Sequence, residues 1–289
     1  MTVYLALLLS GVASGFLAGL LGIGGGFVMV PVLILLLPML GIDPGVVAKV
    51  AVATSLAAMI PTACSAVVAQ YRRGTLDVVW VRRLAPAAAI GATIGSQLAA
   101  AANGRWVAMV FAIYVACVAV KMLRGSPVAP TGAGRAARIV GALPVPLVGA
   151  LIGTFASIAG VGGASLTVPF LLSARAEMKR ALAVSSAVGL AIALAGGAGF
   201  AIASASVATG SSELIGFIHW PAALMIAVSA TLLAPGGVCA AHRLAVVHLK
   251  RAFAAVLVAA CTITLAKAAN TGLVDYAAAS PATAVASRN

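Results

Sequence analysis

Gly15-Phe-Leu-Ala-Gly-Leu-Leu-Gly22-Ile-Gly24-Gly25-Gly26-Phe-Val-Met-Val-Pro31 returns, in one register 138 positions later, as Gly153-Thr-Phe-Ala-Ser-Ile-Ala-Gly160-Val-Gly162-Gly163-Ala-Ser-Leu-Thr-Val-Pro169. The chain is two copies of one unit, each headed by an apolar segment that glycine interrupts. Internal repeats with broken helices point to a transporter's binding site, because unwound backbone at membrane depth is tolerated only where it lines a cavity.

Composition fixes the solvent. Of 289 residues, 63% are hydrophobic and 8% charged, where a soluble domain carries about 25% charged residues. The expectation is an all-α integral membrane protein. A net charge of +13 does not indicate nucleic acid, because the basic residues sit in short clusters between apolar runs with no basic face interleaved with aromatics. They serve as orientation determinants and anionic-lipid contacts. Cys64, Cys117, Cys239 and Cys261 lie in apolar segments without CxxC spacing, so packed thiols are expected, not a metal centre or a disulfide framework. The start, Met1-Thr-Val-Tyr-Leu-Ala, lacks a basic n-region and is expected to be a retained span.

Apolar runs occur at about 3–22, 27–40, 47–70, 80–101, 105–123, 139–159, 164–174, 181–206, 217–240 and 252–269, five in each half. Most approach the ~20 residues a bilayer needs, but the second of each half is short, as in a half helix or re-entrant segment. The expected division is a first repeat at 1–123, a cytoplasmic linker at 124–138 rich in Pro, Gly and Arg, a second repeat at 139–270, and a loose tail at 271–289.

Orientation follows from the basic clusters. Arg72, Arg73, Arg82 and Arg83, then Lys121, Arg124, Arg135 and Arg138, then Arg175, Lys179 and Arg180, then Arg243, Lys250 and Arg251 are expected in the cytoplasm. Two segments separate each cluster from the next, so the assignment is self-consistent. Under it the third segment and its counterpart, the eighth, cross in opposite directions: the halves are inverted-topology repeats with both termini external. Lys49 and Lys267 fall on the external side.

Inverted repeats bring corresponding elements around an axis in the membrane plane, so Gly24, Gly25 and Gly26 are expected to face Gly162 and Gly163 across a central site. Helices beginning there would aim free N–H groups and positive dipole ends at an anion. The alternative, that glycine serves only close helix packing, suits Gly11, Gly15, Gly19 and Gly22, but consecutive glycines destroy helix propensity. A second recurrence is Thr54-Ser55 against Ser185-Ser186, hydroxyl pairs that either hold an oxyanion or bond back to their own helix. Thr62, Ser65, Ser157 and Gln97 are expected to be interhelical glue. A third recurrence, Gly74-Thr-Leu-Asp77-Val-Val-Trp80 against Gly216-Phe-Ile-His219-Trp220-Pro221, combines helix capping with interfacial aromatics, the alternative being a gate built on Asp77, Trp80, His219 and Trp220.

These elements together, with Tyr71 added, resemble the sulfite exporter TauE/SafE family of membrane permeases from about residue 5 to 268. The resemblance implies transport of small sulfur-containing anions, sulfite or organosulfonates, by a helical protein of two related halves in a bacterial inner membrane. Ala164 departs from the repeat, standing where Gly26 stands in the first half.

The residues themselves favour an anion. All five acidic residues fall in loops or at segment ends, leaving no mid-membrane carboxylate for Na⁺ or a proton relay. The expectation is export down the membrane potential by alternating access, with no cofactor, no metal and no catalytic residues. His219 is the histidine near a span, while His242 and His248 sit in a basic loop. An importer of sulfonate or sulfate and a non-transporting assembly factor are the rival classes. The expected partners are the anion and membrane lipid; the sequence leaves homo-oligomerisation and the identity of the anion open.

Overall fold

A computed structural model of the chain describes residues 2–21, 25–123, 144–174, 176–203 and 213–241. The expected linker at 124–138, the tenth segment, the tail and the positions Gly24, His242, His248 and Cys261 lie outside the described residues.

The molecule is mostly helical. The first half supplies α1 (Thr2–Leu21), α2 (Gly26–Leu36) continued by a 3₁₀ turn (Leu37–Leu40), α3 (Val47–Arg72), α4 (Val78–Ala101) and α5 (Gly104–Leu123). The second half supplies α6 (Val145–Ile158), α7 (Ala164–Ser173), α8 (Met178–Ala203), two two-residue strands, β1 (Leu214–Ile215) and β2 (Ile218–His219), and α9 (Trp220–Ala241). The antiparallel β1–β2 hairpin, turning at Gly216 with φ +69°, is a small correction to an all-α expectation. It is too short to have a period that sequence patterning reveals.

Among the described residues, α3, α4 and α8 are long and apolar enough to cross a membrane. The second helices of the halves, α2 with 11 residues and α7 with 10, are too short to cross at ~1.5 Å per residue. Local chemistry sets these ends. Asp77 caps α4 by accepting N–H bonds from Val79 and Trp80. Gly41, at φ +84°, closes the 3₁₀ turn after α2. Gly163 opens α7 from φ +69°, a conformation that a Cβ opposes.

Helix α1 packs on α9, and α4 on α6 and α8, with α3 against α8 at the centre. Small residues set these approaches, as expected where lipid offers no hydrophobic drive between helices. Gly91 and Gly95 of α4 abut Ala150 and Thr154 of α6, Gly153 abuts Ala88, and Gly11 and Gly15 of α1 abut Ile226 and Ala230 of α9. A Cβ at Gly15, Gly91 or Gly153 would overlap a carbonyl oxygen of the opposite helix. Thus Gly11 and Gly15 are packing glycines, as the sequence suggests.

Two thiol expectations change. Cys64 and Cys117 are exposed on α3 and α5, so they are not packed thiols. Their helices turn those faces outward, together with apolar side chains such as Ile90, Ile113 and Leu232, a surface that suits a lipid solvent.

Candidate functional site

The two interrupted segments meet. Gly26, the first residue of α2, lies so close to Gly160 that a Cβ would overlap the Gly160 carbonyl oxygen and stand 3.1 Å from Val161 Cα. Gly160 takes φ +66° and would press an added Cβ on Val52 and Ser55 of α3. Gly162 meets the other central helix, its carbonyl oxygen 2.7 Å from where a Cβ on Gly189 would stand. Gly25, Gly26, Gly162 and Gly163 are all buried. Close backbone approach explains glycine at Gly26, and positive φ explains it at Gly160 and Gly163. Ala164 begins α7 as a buried residue.

The four predicted hydroxyls divide by where their protons go. Ser55 donates to Val52 O at 2.8 Å and to Gly160 O at 3.0 Å. Ser185 and Ser186 donate to Leu182 O at 2.8 and 3.0 Å. These are bonds back to a helix turn, with Ser55 also joining α3 to the second break. Thr54 differs. Its Oγ1 accepts the backbone N–H of His219 at 3.0 Å, and among the described residues no carbonyl takes its proton. A fully buried hydroxyl with its acceptor side occupied and its donor side unused suits an anion better than the other three.

His219 has 1% of its surface exposed. Its Nδ1 accepts the Ala222 N–H at 3.3 Å, and its Nε2 lies 3.2 Å from Glu213 Oε2 without a directed hydrogen bond. Burial, only partly offset by the Glu213 carboxylate, holds the imidazole below its ordinary pKa. Lys49 of α3 approaches the same hairpin. Its ammonium donates to Ala100 O at 2.8 Å and stands 5.5 Å from the centre of the Phe217 ring.

A group that sequence reasoning missed bridges the starts of the two short helices. The ring of Tyr114, from α5, stacks on Phe27 of α2 with centroids 5.7 Å apart, and its hydroxyl bonds to Ser165 in the first turn of α7. A lone tyrosine inside the apolar run 105–123 was the available clue.

The remaining candidates have local roles. Asp77 is the α4 cap, Trp80 meets Phe170 of α7 edge-on at 6.3 Å, and Trp220 begins α9 half-exposed. Gln97 donates across to Gly199 O of α8 at 3.0 Å, which is interhelical glue. Ser157 instead bonds to Thr154 O of its own helix, and the buried Thr62 Oγ1 has no partner among the described residues.

The sequence model of the family described as Sulfite exporter TauE/SafE matches residues 7–264. A protein of Haemophilus influenzae named "Probable membrane transporter protein" is 30% identical over 262 residues, covering 89% of this chain and 96% of that one. A protein of Xylella fastidiosa strain 9a5c with the same name is 30% identical over 168 residues, covering 57% of this chain and 61% of its own. No solved structure matches.

Proposed function

The chain belongs to the sulfite exporter TauE/SafE family and is a membrane transporter of that family; from this we propose that it exports small sulfur-containing anions, sulfite or an organosulfonate, by alternating access. The observation that carries the proposal is the meeting of two glycine breaks against α3 at Val52 and Ser55, next in sequence to Thr54, a buried hydroxyl whose proton no carbonyl takes among the described residues. Backbone dipoles and a neutral hydroxyl bind an anion without a fixed positive side chain, so the site releases what it binds. The proposed site is the backbone at Gly24, Gly25, Gly26, Gly162 and Gly163 with Thr54, while Ser55, Ser185 and Ser186 hold the surrounding backbone.

The pairing of helices supports inverted repeats. The first helix of each half, α1 or α6, packs on the fourth of the other, α9 or α4. Helices α4 and α8 run in one direction, with Gly196 beside Ala92 and Gly199 beside Ser96. Since α3 crosses before α4 returns, α3 and its counterpart α8 cross in opposite senses. With the basic clusters in the cytoplasm, both termini are external and the membrane is the bacterial inner membrane. An interior negative by ~100 mV drives a monoanion outward with about 2.3 kcal/mol, enough for export without a coupling ion.

The test is efflux of radiolabelled sulfite from proteoliposomes holding the full chain, with the potential imposed by a K⁺ gradient. An interior-negative potential is expected to speed efflux. Thr54→Val, close in shape but without the hydroxyl, is expected to slow it at least tenfold, the scale of one buried hydrogen bond to a charged group. Flux indifferent to both potential and Thr54→Val would overturn the reading.

A further inference from the structure

We propose that His219 is a positioning residue for the transported anion: its neutral ring caps α9 and so holds the backbone N–H that fixes Thr54, and proton uptake by the ring releases both. The proposal deepens the transport reading and depends on it only for the flux measurement below.

The geometry dictates the tautomer. Because Nδ1 accepts from Ala222 N–H at 3.3 Å, it bears a lone pair, and the proton of the neutral ring sits on Nε2. A second proton must therefore add at Nδ1. There it would face the Ala222 N–H and place a positive charge at the positive end of α9, so a charged ring cannot keep this pose. Glu213, half-exposed and already 3.2 Å from Nε2, offers the charged ring a partner outside it. The imidazole thus has two arrangements, neutral as the cap of α9 or charged and drawn toward Glu213.

The two arrangements differ at the site. His219 supplies through its backbone N–H the hydrogen bond to Thr54 Oγ1 at 3.0 Å. Two residue pairs, Leu214 with His219 and Ile215 with Ile218, and one further backbone bond from Trp220 N–H to Glu213 O at 3.2 Å make up the hairpin, a short ladder to resist its displacement. Among the described residues the charged groups around it are Glu213 beside the ring and Lys49 of α3 against Phe217. From Ala181 to Ala203 α8 has no acidic or basic side chain, and α9 has none.

The sign follows from burial, which keeps the ring's proton affinity below its ordinary value. The described arrangement binds fewer protons than a free histidine, so it weakens as pH falls below about 6.5.

The first measurement is nitrogen NMR of the full chain carrying His242→Gln and His248→Gln, which leaves His219 as the sole histidine, in lipid nanodiscs without a histidine tag. The neutral ring is expected to carry its proton on Nε2 and to titrate below pH 6.5. If protonation and the Thr54 bond are coupled, Thr54→Val must ease protonation, raising the midpoint by about one pH unit, a tenfold change in proton affinity. A proton on Nδ1, or a midpoint unmoved by Thr54→Val, overturns the proposal whatever the transport assay gives. The second measurement is the ratio of wild-type to His219→Gln sulfite efflux, in which titration of the probe cancels. It is expected to fall about tenfold from pH 8 to pH 5.5; a flat ratio also overturns the proposal. Wild-type vesicles that move no sulfite would sink the substrate reading instead, and the NMR titration would then decide this one.

Discussion

At the scale of single residues, the decisive side chain at the meeting point is the one glycine lacks. Gly26→Ala puts a Cβ into the Gly160 carbonyl, and backbone cannot give way as a flexible side chain can. The expected cost is about 1–3 kcal/mol, measured as a lower melting temperature of the purified protein; an unchanged melting point would show that α2 and the second break are not in contact. The glycine breaks were legible because repetition marked them. Thr54 and Ser55 were legible as a pair, but not their division of labour, since which hydroxyl bonds back depends on rotamers and on neighbours from distant sequence. His219 reaches Thr54 across 165 positions and Tyr114 reaches Ser165 across 51, and no local pattern encodes either meeting.

At the scale of elements, hydropathy placed every described helix, with ends displaced by a few residues, as where the Asp77 cap starts α4 at Val78 and not at residue 80. It missed the 214–219 hairpin and set Cys64 and Cys117 inward, because a uniformly apolar helix has no polar face to say which side meets lipid. The α4–α6 contact carries a graded prediction. Gly91→Ala and Gly153→Ala each overlap a carbonyl of the facing helix and are expected to destabilise by about 1–3 kcal/mol. Among the described residues Gly197→Ala meets nothing nearer than Ile60 Cδ1 at 4.0 Å, and it is expected to be neutral or to stabilise by up to ~1 kcal/mol through helix propensity. Thermal unfolding of the three variants side by side checks the ranking; Gly197→Ala as the worst would contradict the packing.

At the scale of the whole molecule, charge parity predicts sidedness. The α3–α4 turn at Arg73 and the hairpin at Ile215 are both exposed, and the proposed orientation puts the first in the cytoplasm and the second outside. In a chain freed of its four native cysteines, an impermeant thiol reagent is expected to label Ile215→Cys on intact cells and Arg73→Cys only after permeabilisation. Labelling of both from one side would undo the orientation. The exchange of partners between halves also bears on how the protein is made. Since α1 ends at Leu21 and its partner α9 begins at Trp220, α1 waits for the intervening residues 22–219 to be translated before it can make this contact. A half-length ancestor could have completed the same contacts only by joining a second copy of itself, so gene duplication would have fused a dimer into one polypeptide.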